Sequence, residues 1–296
     1  MSTEPTSNVL DLRREAQEEA SRLPALLTHA QQLAATMMLG EHGRRRAGMG
    51  DNFWQYRPIQ QGDSYRSIDW RRSARGDEQF VREKEWQIAQ SVLFWLDPGQ
   101  SMRYASAPNL PQKAERARVL TLALAILLQK GGERVGLTGF SLPPQRGAAQ
   151  ILRLAEAFSL EDSADYAQPE ARGMIPNARA VFVSDFLGNL DSVREALAKA
   201  SDRGVRGVLL QVLDPTEEEF PFDGRTIFQS IGGQIENETL KARSLKAKYL
   251  AALAERKDEL SNLARLCGWQ YKCHHTTDSA QSALLWLYRA LDGVQG

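Results

Sequence analysis

From Ser91 onward, short apolar runs alternate with longer helical patterns, and this rhythm constrains the fold more than any other feature of the chain. Ser91–Leu96 is a continuous apolar run, and a strand apolar at every position belongs inside a parallel sheet covered on both faces. The helix predicted from Gln112 to Gln129 becomes apolar on nearly every side after Val119, so it too should be buried. Strands are predicted at Arg134–Phe140, Ala180–Ser184 and Val205–Leu213, and helices at Ala148–Phe158 and Leu190–Ser201, the second ended by Gly204. Strands separated by helices predict βαβ units, hence a three-layer, doubly wound, mostly parallel α/β fold.

The C-terminal third follows the same plan. Thr226–Ser230 and Gln234–Glu236, joined by Gly232-Gly233, read as a short hairpin at a sheet edge. A long helix is expected from Thr239 to Leu266 with Gly268 as its stop, then a last strand at Trp269–Cys273. Thr277 or Asp278 is expected to cap a final helix through Leu291.

Ahead of this region the composition differs, and three segments are expected: a helical extension over 1–43, an Arg/Asp-rich β subdomain over 44–89 and the α/β domain over 90–296. Met1–Asn8 is polar and expected to be disordered. Leu23–Leu39 carries Leu26, Leu27, Leu33, Met37 and Met38 at helical spacing, so this helix should pack on the main body. Phe53–Arg57, Ser67–Arg71 and Gln79–Trp86 are the strand candidates of the middle segment, the last two separated by the turn Arg75-Gly76-Asp77.

Charge excludes some partners. With 37 acidic and 37 basic side chains the formal net charge is zero, so no global field draws nucleic acid or an anionic membrane, and Arg44-Arg45-Arg46 reads as a solvated turn. The longest apolar run, Val119–Leu128, is far short of the ~20 residues needed to cross a bilayer, so no membrane anchor is expected. Two cysteines and an N-terminus without the order of a secretory signal predict a cytoplasmic protein.

The chemistry gathers at strand ends. Asp97 closes the first apolar strand and Ser184-Asp185 closes a later one, so two carboxylates should face one crevice at the carboxyl edge of the sheet. With the hydroxyls of Ser101 and Ser184, this is the oxygen-rich donor set a magnesium ion takes. Asp97-Pro-Gly-Gln-Ser101 with Asp185 resembles the metal-ion-dependent adhesion site of von Willebrand factor A domains, in which a strand ends Asp-x-Ser-x-Ser and a Thr and a later Asp complete the set. Gly99 stands where the first serine belongs, and no Thr lies between Phe140 and Asp185.

The middle segment narrows the resemblance. Tyr56-Arg57-Pro58, Gly62-Asp63, Arg66-Ser67-Ile68-Asp69-Trp70 and Ser73-Ala74-Arg75 are similar to the signature of domain-of-unknown-function family fifty-eight, as are the Tyr249 helix, Gly268 and Thr277-Asp278. That resemblance implies a von Willebrand factor A-like domain associated with a MoxR-type AAA+ ATPase. Read physically, Arg57, Arg66, Arg71 and Arg75 interleave with Asp63 and Asp69 around Trp70. Guanidinium forks pair with carboxylates and stack on aromatic faces, so the segment is either an internal ion-pair network or a surface for an acidic partner or a phosphate.

Other candidates are weaker. Cys267 with Cys273-His274-His275 has zinc-type atoms at no standard spacing, and Ser141 lacks a nucleophile elbow. The reading that results is a non-enzymatic interaction scaffold, adaptor or substrate-recognition partner of a MoxR-type AAA+ chaperone ATPase. The alternatives are a magnesium-dependent adhesion domain using Asp97, Ser101 and Asp185, and a phosphoryl-transfer hydrolase. The hydrolase lacks a second aspartate where Gly99 stands.

Overall fold

A computed structural model describes residues 24–38, 53–60, 65, 68–74, 76, 78–84, 89–140, 142–160, 162–231, 233 and 236–292, with backbone alone for 53–57, 82–84, 237 and 292. The chain divides into two compact units, Glu41–Ala89 and a larger one combining Met1–Gly40 with Gln90–Gly296. Met1–Asn8, Leu23, Leu39 and Arg44–Arg46, on which expectations were stated, lie outside the described residues.

In the smaller unit β1 (Phe53–Pro58) pairs antiparallel with β2 (Phe80–Lys84). Ser67–Arg71, expected as a strand, instead contains the start of a short helix. Ile68 makes one isolated bridge to Val81, and α2 runs over Trp70–Ser73. The reason is the short side chain of Asp69, which accepts from the Arg71 and Arg72 backbone N–H groups at 3.2 Å and satisfies donors that a strand would have turned outward.

The larger unit opens with α1, residues 24–38. Its main sheet combines β3 (Ser91–Leu96), β4 (Arg134–Leu137), β5 (Arg179–Ser184), β6 (Arg206–Leu213) and β9 (Gln270–His275) in the order β4-β3-β5-β6-β9, all neighbours parallel. The helices are α3 (Lys113–Lys130), α4 (Ala148–Phe158), α5 (Leu190–Ser201), α6 (Pro215–Glu219), α7 (Ala242–Leu266) and α8 (Ala280–Asp292). This is the expected three-layer, doubly wound, mostly parallel α/β architecture.

Side chains of each strand alternate between two cores, as the period of a strand demands. Val92 and Phe94 join α3, α4 and α8 on one face, whereas Leu93 and Trp95 join α5 and α7 on the other. The helix α3 is apolar all round because its environment is: Leu120 through Leu128 are buried, and Ala30, Ala34 and Met37 of α1 belong to the same core. Small residues at 30 and 34, both fully buried, let α1 approach closely.

Two boundaries differ from expectation. The hairpin of β7 (Thr226–Gln229) and β8 (Glu236–Thr239) forms its own two-stranded sheet and does not extend the main one. It is held by rings: Phe228 stacks on Phe220 at 5.6 Å and meets Phe222 edge-on at 5.2 Å. At the start of the last helix Ser279 Oγ accepts from Ser282 N–H at 3.3 Å, while Asp278 Oδ2 accepts from His275 N–H.

Candidate functional site

The strand order reverses at β3, with β4 on one side and β5 on the other. Crevices at such switch points, beyond the carboxyl ends of the strands, are where open α/β sheets bind ligands. Asp97 and Asp185 follow β3 and β5 there, and both are buried.

Asp97 is held from both sides. Its Oδ2 accepts from Ser184 Oγ at 2.6 Å, and its Oδ1 from the N–H groups of Gly99 at 2.8 Å and Ala167 at 3.4 Å. Burial pushes its pKa up to about 6, offset in part by Ser184 and reinforced by the charge of Asp185. A carboxylate enclosed in this way is not presented as a nucleophile, which disfavours the hydrolase alternative.

Gly99 is more than a missing ligand. A Cβ there would sit 2.8 Å from Asp165 O, 2.8 Å from Asp97 Oδ1 and 2.9 Å from Ala167 N, so the 162–167 loop occupies the space a serine would need. Ser101 follows in a 3-10 turn (Gln100–Arg103). Its Oγ is buried with no hydrogen-bond partner among the described residues.

Lys113, the first residue of α3, supplies the cation at this rim. Its Nζ lies 2.9 Å from Asp185 Oδ2 and 2.5 Å from Glu217 Oε1, and the whole side chain is buried. Burial works against the ammonium, but the charges of Asp185 and Glu217 outweigh it and hold Lys113 protonated, above its ordinary pKa. The other Asp185 oxygen accepts from Leu187 N–H at 3.1 Å. Glu217 is placed by its own helix: Asp214 caps α6 through Thr216 N–H, and Glu217 Oε2 returns to Asp214 N–H at 2.8 Å, a complete capping box.

In this arrangement the oxygens of the expected magnesium set meet competing protein donors. Asp97, Ser101 and Asp185 do gather at one rim, but both carboxylates already have each oxygen engaged by protein donors, and one of those donors is an ammonium. A divalent ion needs several free oxygen ligands. The residues therefore do not fit a magnesium ion of the adhesion type. Among the described residues no three His, Cys, Asp or Glu side chains are grouped to hold a metal, which includes Cys267 and Cys273-His274-His275.

Beside Lys113 and Glu217 opens a cleft of about 730 Å³, its mouth included. Tyr104, Tyr166, Phe222, Phe228 and Tyr249 contribute to its walls, and Ser101, Lys113 and Glu217 bring polar atoms to it. Lys113 Nζ stands 5.8 Å from the centre of the Tyr104 ring, and the Tyr104 hydroxyl bonds Thr216 Oγ1 at 3.0 Å. The sequence reading missed Lys113, Glu217 and this cleft. Asp214-Pro-Thr-Glu217 is a legible capping-box pattern, whereas nothing local marks Lys113, whose partners lie 72 and 104 residues away.

The Arg/Asp set of the smaller unit is partly in view. Asp69 is a helix cap, Arg71 and Trp70 are exposed, with Trp70 at 57%, and a cation–π contact falls instead on Arg72 over Phe80 at 5.1 Å. Arg57 lies on β1 opposite Val81 with only its backbone described, and Asp63, Arg66 and Arg75 are outside the described residues.

Fold and site together define a parallel, doubly wound α/β domain whose switch-point carboxylate Asp185 is paired with a resident lysine. The chain belongs to the DUF58 family, described as "Protein of unknown function DUF58", whose model matches residues 55–259. It is similar to the uncharacterized proteins Rv1480 of Mycobacterium tuberculosis (strain H37Rv) and Mb1516 of Mycobacterium bovis. Each is 27% identical over 267 residues, covering 84% of this chain and 82% of the relative. Among solved structures it is similar to BatB of Bacteroides thetaiotaomicron, at 16% identity and TM-score 0.42 over 70% of this chain and 98% of that one. An aerotolerance-related membrane protein of Bacteroides fragilis matches at 16% identity and TM-score 0.41, over 69% and 100%. Among the described residues no helix is long and apolar enough to cross a membrane.

Proposed function

We propose that this chain is a non-enzymatic protein-interaction scaffold that acts in the cytoplasm as adaptor or substrate-recognition partner of a MoxR-type AAA+ ATPase. The observation that carries the scaffold reading is the Lys113–Asp185–Glu217 triad. An ammonium built into the switch point leaves a rigid, preformed rim that needs no exchangeable ion, and the aromatic cleft beside it offers the concave, largely apolar surface that recognition uses. The choice of an ATPase as the partner rests on what the resemblance of the Arg57–Arg75 motifs implies.

The test is affinity capture of the full chain from its native cell under conditions that trap ATP-bound AAA+ assemblies, with and without a chelator. The expected result is recovery of a MoxR-type ATPase in both arms. Its absence from both arms removes the adaptor assignment, and recovery abolished by chelation restores the metal-dependent alternative.

A further inference from the structure

Four segments around the cleft at the carboxyl edge of the sheet have a charge unlike the rest of the molecule. Residues 97–112, 162–167, 185–189 and 214–225 carry nine acidic side chains against two basic ones, in a chain whose formal net charge is zero. Lys113 is the cation beneath them, and it is already divided between Asp185 and Glu217. One ammonium facing two carboxylates leaves the floor of the cleft with a surplus of negative charge.

The walls point to the same kind of ligand. Aromatic faces attract cations through their quadrupoles, most strongly where water is excluded, and Lys113 beside the Tyr104 ring is a built example within this cleft. Phe222, Phe228 and Tyr249 are half-buried and Tyr166 is 37% exposed, so ring surface remains open to an incoming group. Burial, then the charge of Glu217, pushes the Tyr249 hydroxyl up to about 12. Burial is the larger cause, and the Glu217 carboxylate adds to it. The buried Ser101 Oγ adds an acceptor at the floor.

We propose that the aromatic cleft over Lys113 and Glu217 binds a basic segment of a partner protein, with an arginine or lysine side chain entering between the rings. The inference rests on the scaffold reading and adds the chemistry of the partner. It also inverts the sign of an adhesion-type site: a divalent ion there accepts a partner's carboxylate, whereas here a carboxylate would meet Glu217 and Asp185 across a lysine they already share. The apolar stem of the basic side chain lies along the rings while its charged end answers the acidic loops.

The experiment measures binding of two fluorescent peptides to the full chain by anisotropy, acetyl-Gly-Arg-Leu-Arg-Gly-amide and the same peptide with glutamate for arginine. The arginine peptide is expected to bind, weakening as salt rises, and the glutamate peptide is not. Phe228→Ala should weaken it about tenfold. Because that variant could disturb the ring cluster, Ile231, 45% exposed among the residues lining the cleft, supplies a control of sign. Ile231→Glu should tighten the arginine peptide and Ile231→Lys should weaken it, each about two- to threefold at low salt. Failure of both peptides to bind, preference for glutamate, or the reverse order of the Ile231 variants overturns the proposal. ATPase capture separates this from the broader reading. Peptide binding without capture upholds the cleft and removes the ATPase, while capture undiminished by Phe228→Ala and Ile231→Lys overturns the cleft and keeps the scaffold.

Discussion

Lys113 Nζ is 2.9 Å from Asp185 Oδ2, with the two side chains 1% and 0% exposed, so the start of α3 and the end of β5 are joined by an ion pair out of reach of water. Removing one partner from such a pair strands the other as a buried, uncompensated charge. Lys113→Met should therefore destabilise the α/β unit by about 3–5 kcal/mol, read from urea unfolding through the buried Trp95 and Trp269. Adding Asp185→Asn and Glu217→Gln to Lys113→Met should recover part of the loss. A lone Lys113→Met variant as stable as the parent would show the triad to be unimportant.

Asp97 makes stability depend on pH in an unusual direction. Its folded pKa of about 6 exceeds the ordinary 3.8, so the folded chain holds the proton more tightly than the unfolded one. The contribution is fully present below about pH 4 and is lost as pH rises through 6, a difference of about 3 kcal/mol. Asp97→Asn, which cannot titrate, should remove this slope. The check is the difference in unfolding free energy between parent and variant across pH 4 to about 7; parallel profiles would contradict it.

Restoring a serine at position 99 should not restore a metal site. The added Cβ would stand 2.8 Å from both Asp165 O and Asp97 Oδ1, so Gly99→Ser should cost about 1–3 kcal/mol through overpacking. Neither parent nor variant should show heat of binding or a shift in melting temperature with magnesium. A magnesium-dependent rise in the melting temperature of either would reinstate the adhesion-type reading.

In the smaller unit Asp69 should act through the backbone of α2. Asp69→Ala removes the acceptor for Arg71 and Arg72 N–H and should cost that unit about 1 kcal/mol, whereas Asp69→Ser, which can still cap, should cost less. Amide hydrogen exchange across residues 68–84 distinguishes the two. Equal protection in the Ala and Ser variants would mean the carboxylate serves something other than the cap.

The fold was legible because its signals are local or periodic. Ser91–Leu96 reads as an interior strand since every position is apolar, and α3 reads as a buried helix because no polar stripe follows Val119. The errors fell where one side chain outweighs a pattern: Asp69 turned an expected strand into a helix start, and the rings of Phe220, Phe222 and Phe228 held the hairpin in a separate sheet. At the site, Asp97, Ser101 and Asp185 were found from their places after strands, yet the group that decides their chemistry was not.

By itself, then, the sequence determined the α/β class, the order of its strands and helices, the family, and the strand ends at which carboxylates collect. Those properties follow from hydrophobic period, turn residues and motif spacing, all contained in neighbouring residues. Only the tertiary structure decided what the carboxylates do. Lys113 meets Asp185 and Glu217 across separations of 72 and 104 residues, and Gly99 is barred from carrying a side chain by the loop at 162–167. Coulomb attraction and steric exclusion act through space, so a site that reads in one dimension as a place for magnesium becomes, once folded, a rim with its own cation.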